Sequence, residues 1–105
     1  MKFEEKDYIV YCKDEYHDEF DHGYYCNNKC YWRGYLVHRE DGPAVEWEDG
    51  LKAWWLNGER HRKDGPAIEY SNGDKEYWLN GEYYSKEEYY TIINLKKKNR
   101  VLNEI

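Results

Sequence analysis

The sequence predicts a mainly β protein: an antiparallel meander closed by a short C-terminal helical cap. Three observations carry this. A 23-residue segment, His38–Arg60, is followed at once by a second version of itself, His61–Tyr83, identical at 14 of 23 positions without a gap. Asn-Gly and Asp-Gly pairs punctuate both segments at the spacing of hairpin turns. Beyond them, Ser85-Lys86-Glu87-Glu88 has the form of a helix capping box. An internal period of this length marks an array of supersecondary units.

The chain has 105 residues, enough for one domain with a modest core. Its apolar content is unusual: 13 Tyr and 5 Trp against only 2 Phe. Amphipathic rings can cover a face while keeping an OH or NH in water, which favours a thin sheet of half-buried residues over an oily interior. The formal net charge is −6, so no global attraction to long nucleic acid or to an anionic membrane is expected. Acids crowd residues 1–21, and Lys96, Lys97, Lys98 and Arg100 lie near the other end. Solvated surface is the ordinary reading of such runs.

Element by element, residues 1–29 show no repeat. Tyr8–Cys12 reads as a strand, and the remainder as a β cap or irregular chain. Residues 30–84 form the repeat sheet. Tyr31-Trp32 stands 23 residues before Trp54-Trp55, so a partial copy precedes the two full ones, with Gly34-Tyr35 at the place of the later Asn-Gly turns. Pro43–Glu48 alternates and suits a strand. Asp49-Gly50 reads as a type I′ turn, Leu51–Leu56 as the return strand, Asn57-Gly58 as a second I′ turn, and Glu59–Arg62 as a short exit strand. Asp41-Gly42-Pro43 and Asp64-Gly65-Pro66 interrupt the ladder, since proline cannot donate to it. Residues 85–105 supply the cap, a helix from Lys86 to about Lys98 over the last sheet edge.

These residues resemble a MORN-type repeat. Trp55-Leu56-Asn57-Gly58-Glu59-Arg60-His61 follows the Trp-x-Asn-Gly-x-x-His opening, and Gly65, Tyr70 and Gly73 continue it. The Arg-Lys-Asp-Gly-Pro-Ala stretch departs from the usual pattern by about two extra residues, as in divergent variants of phage and large-virus proteins. The resemblance covers about half the chain. It implies an elongated hairpin sheet used for protein interaction or assembly, with no named ligand.

Chemistry is sparse. No Walker loop, nucleophile elbow or dinucleotide fingerprint occurs, so no enzyme activity and no cofactor are expected. His38, Arg39, His61 and Arg62 recur with the repeat. A structural role, bracing turns and pairing acids, is the default for such a set. The functional alternative is a basic ladder that holds a small nucleotide, since arginine forks match phosphate and flanking rings stack on a base. Cys12, His17, His22, Cys26 and Cys30 are zinc-type ligands, but no Cys-x-x-Cys knuckle is present, so free thiols are the preferred reading. The aromatic stripe, Trp47, Trp54, Trp55, Tyr70, Tyr77 and Trp78, puts large rings on both faces of one sheet. With Tyr35 at the altered turn, it is the expected contact surface.

The expectation is therefore a non-enzymatic binding protein. Its partner would be a host protein, such as a defence factor occluded by a phage-encoded binder, or a second copy of itself. A nucleotide-signal sponge and a structural assembly module are the alternatives. With no apolar leader after Met1-Lys2-Phe3 and no apolar run long enough to span a bilayer, the expected location is cytoplasmic, in the host cell if the source is a phage.

Overall fold

A computed structural model describes the backbone of residues 1–15, 23–26 and 29–104, and the side chains of 1–14 and 29–97. Twelve strands and one helix appear among them. The strands are β1 (Lys2–Glu4), β2 (Tyr8–Glu15), β3 (Gly23–Cys26), β4 (Lys29–Trp32), β5 (Tyr35–Val37), β6 (Val45–Trp47), β7 (Lys52–Ala53), β8 (Trp55–Leu56), β9 (Glu59–Arg60), β10 (Ile68–Glu69), β11 (Lys75–Leu79) and β12 (Glu82–Tyr84), and the helix is α1 (Lys86–Glu104). All strand pairs are antiparallel. Ten strands form one sheet in the order β12-β11-β10-β7-β6-β2-β5-β4-β3, with β1 added along β2, while β8 and β9 make a separate hairpin. The mainly β class and the C-terminal helix thus stand as expected. The molecule measures 48 × 32 × 22 Å.

The unrepeated N-terminal segment sits inside this order. β2 pairs with β1, β5 and β6. Tyr11 is the point of exchange: its N–H donates to the Ala44 carbonyl and its own carbonyl accepts from His38 N–H. Trp54 does the same further along, donating to Ala67 and accepting from His61. This exchange explains a difference from the sequence reading. The return strand expected over Leu51–Leu56 is split at Trp54, because the backbone of Trp54 serves two neighbours. The strand expected over Pro43–Glu48 is likewise confined to Val45–Trp47, and the exit strand over Glu59–Arg62 to Glu59–Arg60.

The turns divide into two kinds. Asn57-Gly58 and Asn80-Gly81 have positive φ at both residues (53° and 79°; 50° and 81°), as a type I′ turn requires. At Asp49-Gly50 only the glycine is positive, and Trp47 N–H donates to Leu51 O while Gly50 N–H donates to Trp47 O. This is a three-residue hairpin loop ending in a left-handed glycine, instead of a type I′ turn. Ser71-Asn72-Gly73 closes the same way between Tyr70 and Asp74. The turn read as Gly34-Tyr35 lies one residue earlier: Arg33 and Gly34 carry the positive pair, 49° and 84°. It is an intact turn of the Asn-Gly kind with one more residue before His38, so a strict 23-residue offset misplaces it.

At the C-terminal end, Ser85 and Glu88 make the reciprocal bonds of a capping box: Glu88 N–H donates to Ser85 Oγ at 3.1 Å, and Ser85 N–H donates to Glu88 Oε1 at 3.0 Å. The helix then runs to Glu104, past the expected end near Lys98, since residues 86–104 contain neither Gly nor Pro to stop it. Two cores result. One gathers Val10, Cys12, Val37, Ala44, Ala53, Trp55 and Ile68 within the sheet; the other joins Tyr77 and Leu79 to Tyr89 and Ile93 of α1.

Candidate functional site

The conserved wording of the two repeated segments builds one device twice. Arg39 Nε donates to Asp41 at 2.9 Å, its Nη1 donates to the Pro43 carbonyl at 3.1 Å, and Glu46 lies 3.5 Å away. Arg62 makes the matching set with Asp64 (3.1 Å), the Pro66 carbonyl (3.0 Å) and Glu69 (2.8 Å). Each guanidinium also lies over a ring, Arg39 on Tyr11 at 3.9 Å and Arg62 on Trp54 at 3.7 Å. A Cβ on Gly42 or Gly65 would meet the guanidinium carbon at 3.1 Å, so glycine is what lets the Asp-Gly-Pro loop close around the arginine. Pro43 and Pro66 contribute carbonyls, and their missing N–H costs nothing there.

The histidines brace the next turn. His38 Nδ1 accepts the Asn57 N–H at 2.8 Å, and His61 Nδ1 accepts the Asn80 N–H at 2.9 Å. An accepting Nδ1 is unprotonated, so both rings are neutral with the proton on Nε2. Both pKa values lie below the usual histidine range. Burial is the main cause, followed by Lys13 for His38 and by Lys63 and Lys96 for His61. Each folded ring therefore binds a proton more weakly than its unfolded counterpart. Their contribution to stability is complete above the unfolded value of 6.5 and is lost as the pH falls through the folded values below it. The melting temperature should drop between pH 7.5 and 5.5. A double variant, His38→Gln and His61→Gln, should flatten that part of the profile; an equally steep profile would mean that other groups cause it.

A groove of about 600 Å³ runs between the two loops, lined by Arg39, Glu40, Asp41, Trp54, His61, Arg62, Lys63 and Asp64 among others. This is where the sequence reading put a basic ladder. Both arginine forks in the groove are already occupied by carboxylates, so neither is left for an incoming phosphate.

The aromatic candidates separate into core and surface. Trp55 is 6% exposed and Tyr77 7%. Trp54 and Trp78 are half-buried. Trp78 Nε1 donates to Glu76 at 2.8 Å, and its ring meets Tyr83 edge-on at 5.5 Å. Tyr70 is also half-buried and donates its OH to Glu76 at 2.7 Å. Tyr35 leans on Phe3 at 5.6 Å. Trp47 is different. It is 42% exposed, with its ring 4.5 Å from Tyr8, beside a hollow lined by Glu5, Lys6, Asp7, Glu46 and Glu48.

Sequence reasoning missed three participants. Tyr8 backs Trp47, and only the β2–β6 register, Tyr8↔Trp47, reveals the pair. Arg60 lies between Trp55 (4.9 Å) and Trp78 (4.7 Å), a stacking that the position 60/78 separation hides. Lys63 occupies the one variable place in His-Arg-x-Asp-Gly-Pro-Ala, and the sequence signal was there: Glu40 holds it in the first segment.

The cysteine set does not assemble among the described residues. Burial pushes the Cys12 thiol up to about 12 and the Cys30 thiol up to about 11, so both are neutral thiols in the metal-free chain and poor nucleophiles. His17 and His22 lie outside the described residues, as does the side chain of Cys26. No group of three metal-type side chains converges among the described residues. No described helix is long and apolar enough to cross a membrane. No known family model, curated protein or solved structure matches the chain.

Proposed function

We propose that this chain is a non-enzymatic binding protein, built on a MORN-like repeat scaffold, whose partner is another protein. The observation that carries this reading is Trp47: a large ring left 42% exposed, held against Tyr8 at 4.5 Å, beside a hollow in which acids outnumber the single lysine. Aromatic side chains fixed by a neighbour make strong interface anchors because little rotamer freedom remains to be lost. In a chain of net charge −6, Asp7 and Glu48, which outnumber Lys6 beside the ring, favour a partner segment that presents Lys or Arg beside an apolar side chain. The recurrence of the Arg–Asp–Pro and His–Asn bonds at a 23-residue offset supports the repeat reading. The resemblance to phage and large-virus proteins makes a host defence factor the first partner to seek.

The test is a pull-down with tagged protein from a host lysate, read by mass spectrometry, with Trp47→Ala alongside. One protein should be enriched by the native chain and lost with the variant, while the two melt within a few degrees of each other. Equal capture by Trp47→Ala, or no enrichment at all, would overturn the reading.

A further inference from the structure

The two segments differ at a place where the structure makes the difference matter. In the first, Glu40 stands 3.5 Å from His38 Nε2 and supplies a built-in anion. In the second, the matching residue is Lys63, and His61 Nε2 is buried with no hydrogen-bond partner. His61 holds its proton on Nε2, because Nδ1 accepts from Asn80. A buried donor without an acceptor is costly and uncommon. The helix then adds to the same place. His61, Lys63, Lys96 and Lys97 border a cleft of about 280 Å³, with Leu79 and Ile93 as its apolar wall. None of the three lysines has a carboxylate within ion-pair distance among the described residues, in a chain with 22 acids and 16 Lys and Arg. The nearest influential acid, Glu59, is shared with Lys29 at 3.9 Å.

We propose that this cleft, between α1 on one side and His61, Lys63 and Leu79 on the other, binds a small phosphomonoester carried on an apolar body. The three ammonium groups face the phosphate, and Leu79 and Ile93 cover the apolar part. The bound anion offsets the lysine charges around His61, as Glu40 offsets Lys13 at His38, by charge and without contact to the enclosed Nε2. Three lysines suit a dianion better than a carboxylate, because each contributes a point charge and no fork geometry is demanded. The cleft is small for a dinucleotide and ample for a single ring or short alkyl group. The site lies apart from Trp47, so it can exist whatever partner binds there.

Phenyl phosphate is the direct probe, followed by titration calorimetry and by the imidazole resonances of His61. It should bind at least tenfold more tightly than inorganic phosphate, weaken as salt is raised, and raise the pKa of His61 by offsetting Lys63 and Lys96. Lys63→Glu copies the first segment and should fold; it should abolish binding and the His61 shift together. Lys96→Ala with Lys97→Ala on the exposed helix should weaken binding at least tenfold without changing the melting temperature appreciably. Phenyl phosphate binding no better than inorganic phosphate, or binding that survives Lys63→Glu, would overturn the proposal. Vesicles containing phosphatidic acid separate the two sources of a phosphomonoester. Lysine-dependent vesicle binding with no affinity for phenyl phosphate would also overturn the small-ligand assignment.

Discussion

Trp55→Ala is expected to destabilise the fold by about 3–5 kcal/mol, the usual cost of emptying a buried large aromatic site. Trp55 is 6% exposed, packs in the sheet core with Val37, Ala44 and Ile68, and carries the Arg60 guanidinium on its ring at 4.9 Å. Deleting the ring leaves a cavity and also exposes the flank of Arg60, whose Nε is already buried without a partner. A domain of this size has only about 5–15 kcal/mol of stability in all, so the variant should melt well below the native chain or fail to accumulate folded. Trp47→Ala should move the urea midpoint much less, because that ring is 42% exposed and lies outside the buried core. Equilibrium urea unfolding of the two variants beside the native protein gives the comparison. If Trp55→Ala were as mild as Trp47→Ala, the core assignment would fail.

That contrast marks what could be read from the sequence and what could not. Alternation along Lys52–Leu56 puts Trp54 and Trp55 on opposite faces; in the structure the two rings carry different arginines, Arg62 on Trp54 and Arg60 on Trp55. It cannot say which face is covered, since both carry rings. The answer even reverses between the segments: Trp55 is buried where Trp78 is half-buried, and Tyr77 is buried where Trp54 is half-buried. The cause is what lies against each position. Trp54 is covered by Arg62 from the following loop, whereas Tyr77 has no following loop and meets Tyr89 of the helix at 5.0 Å. Turn chemistry was legible where two left-handed residues are needed together, as at Asn57-Gly58, and misread where only a terminal glycine is needed, as at Gly50. The capping box at Ser85 is local and was fully legible. The arginine loops were legible as structure but not as a neutralised groove, because Glu46 and Glu69 reach them through pairing that a linear pattern does not reveal. Lys63 was visible as a departure from Glu40, yet its meaning depends on Lys96 and Lys97, which only the docked helix brings near.

Tyr89 decides whether that helix is docked, so its variants carry the second large effect. Its side chain is fully buried, with rings of Tyr77 and Tyr90 each 5.0 Å away. Its OH donates to the Arg62 carbonyl and accepts the Gly65 N–H, at 3.2 Å for the latter. The helix therefore ends the series of covered rings: Arg39 covers Tyr11, Arg62 covers Trp54, and Tyr89 covers Tyr77. Tyr89→Phe keeps the ring and removes the OH, leaving a buried N–H and a carbonyl less well satisfied, for a loss of roughly 1–3 kcal/mol. Tyr89→Ala also removes the ring from a site that nothing else fills, for a loss of about 3–5 kcal/mol. The two should differ in kind as well as size. With the phenylalanine the helix stays docked and the chain unfolds in one transition. With alanine, Ile93 is the one buried side chain of the helix left in that cluster, with only the partly exposed Ile92 and Tyr90 beside it, so far-UV helical signal should be lost in an early, separate step while the β signal persists. A mild effect from Tyr89→Ala, with a single late transition, would mean that the helix is held elsewhere. The cleft formed by Lys63, Lys96 and Lys97 should disappear with it, since two of its three lysines ride on α1 and no sequence-local feature keeps them beside His61.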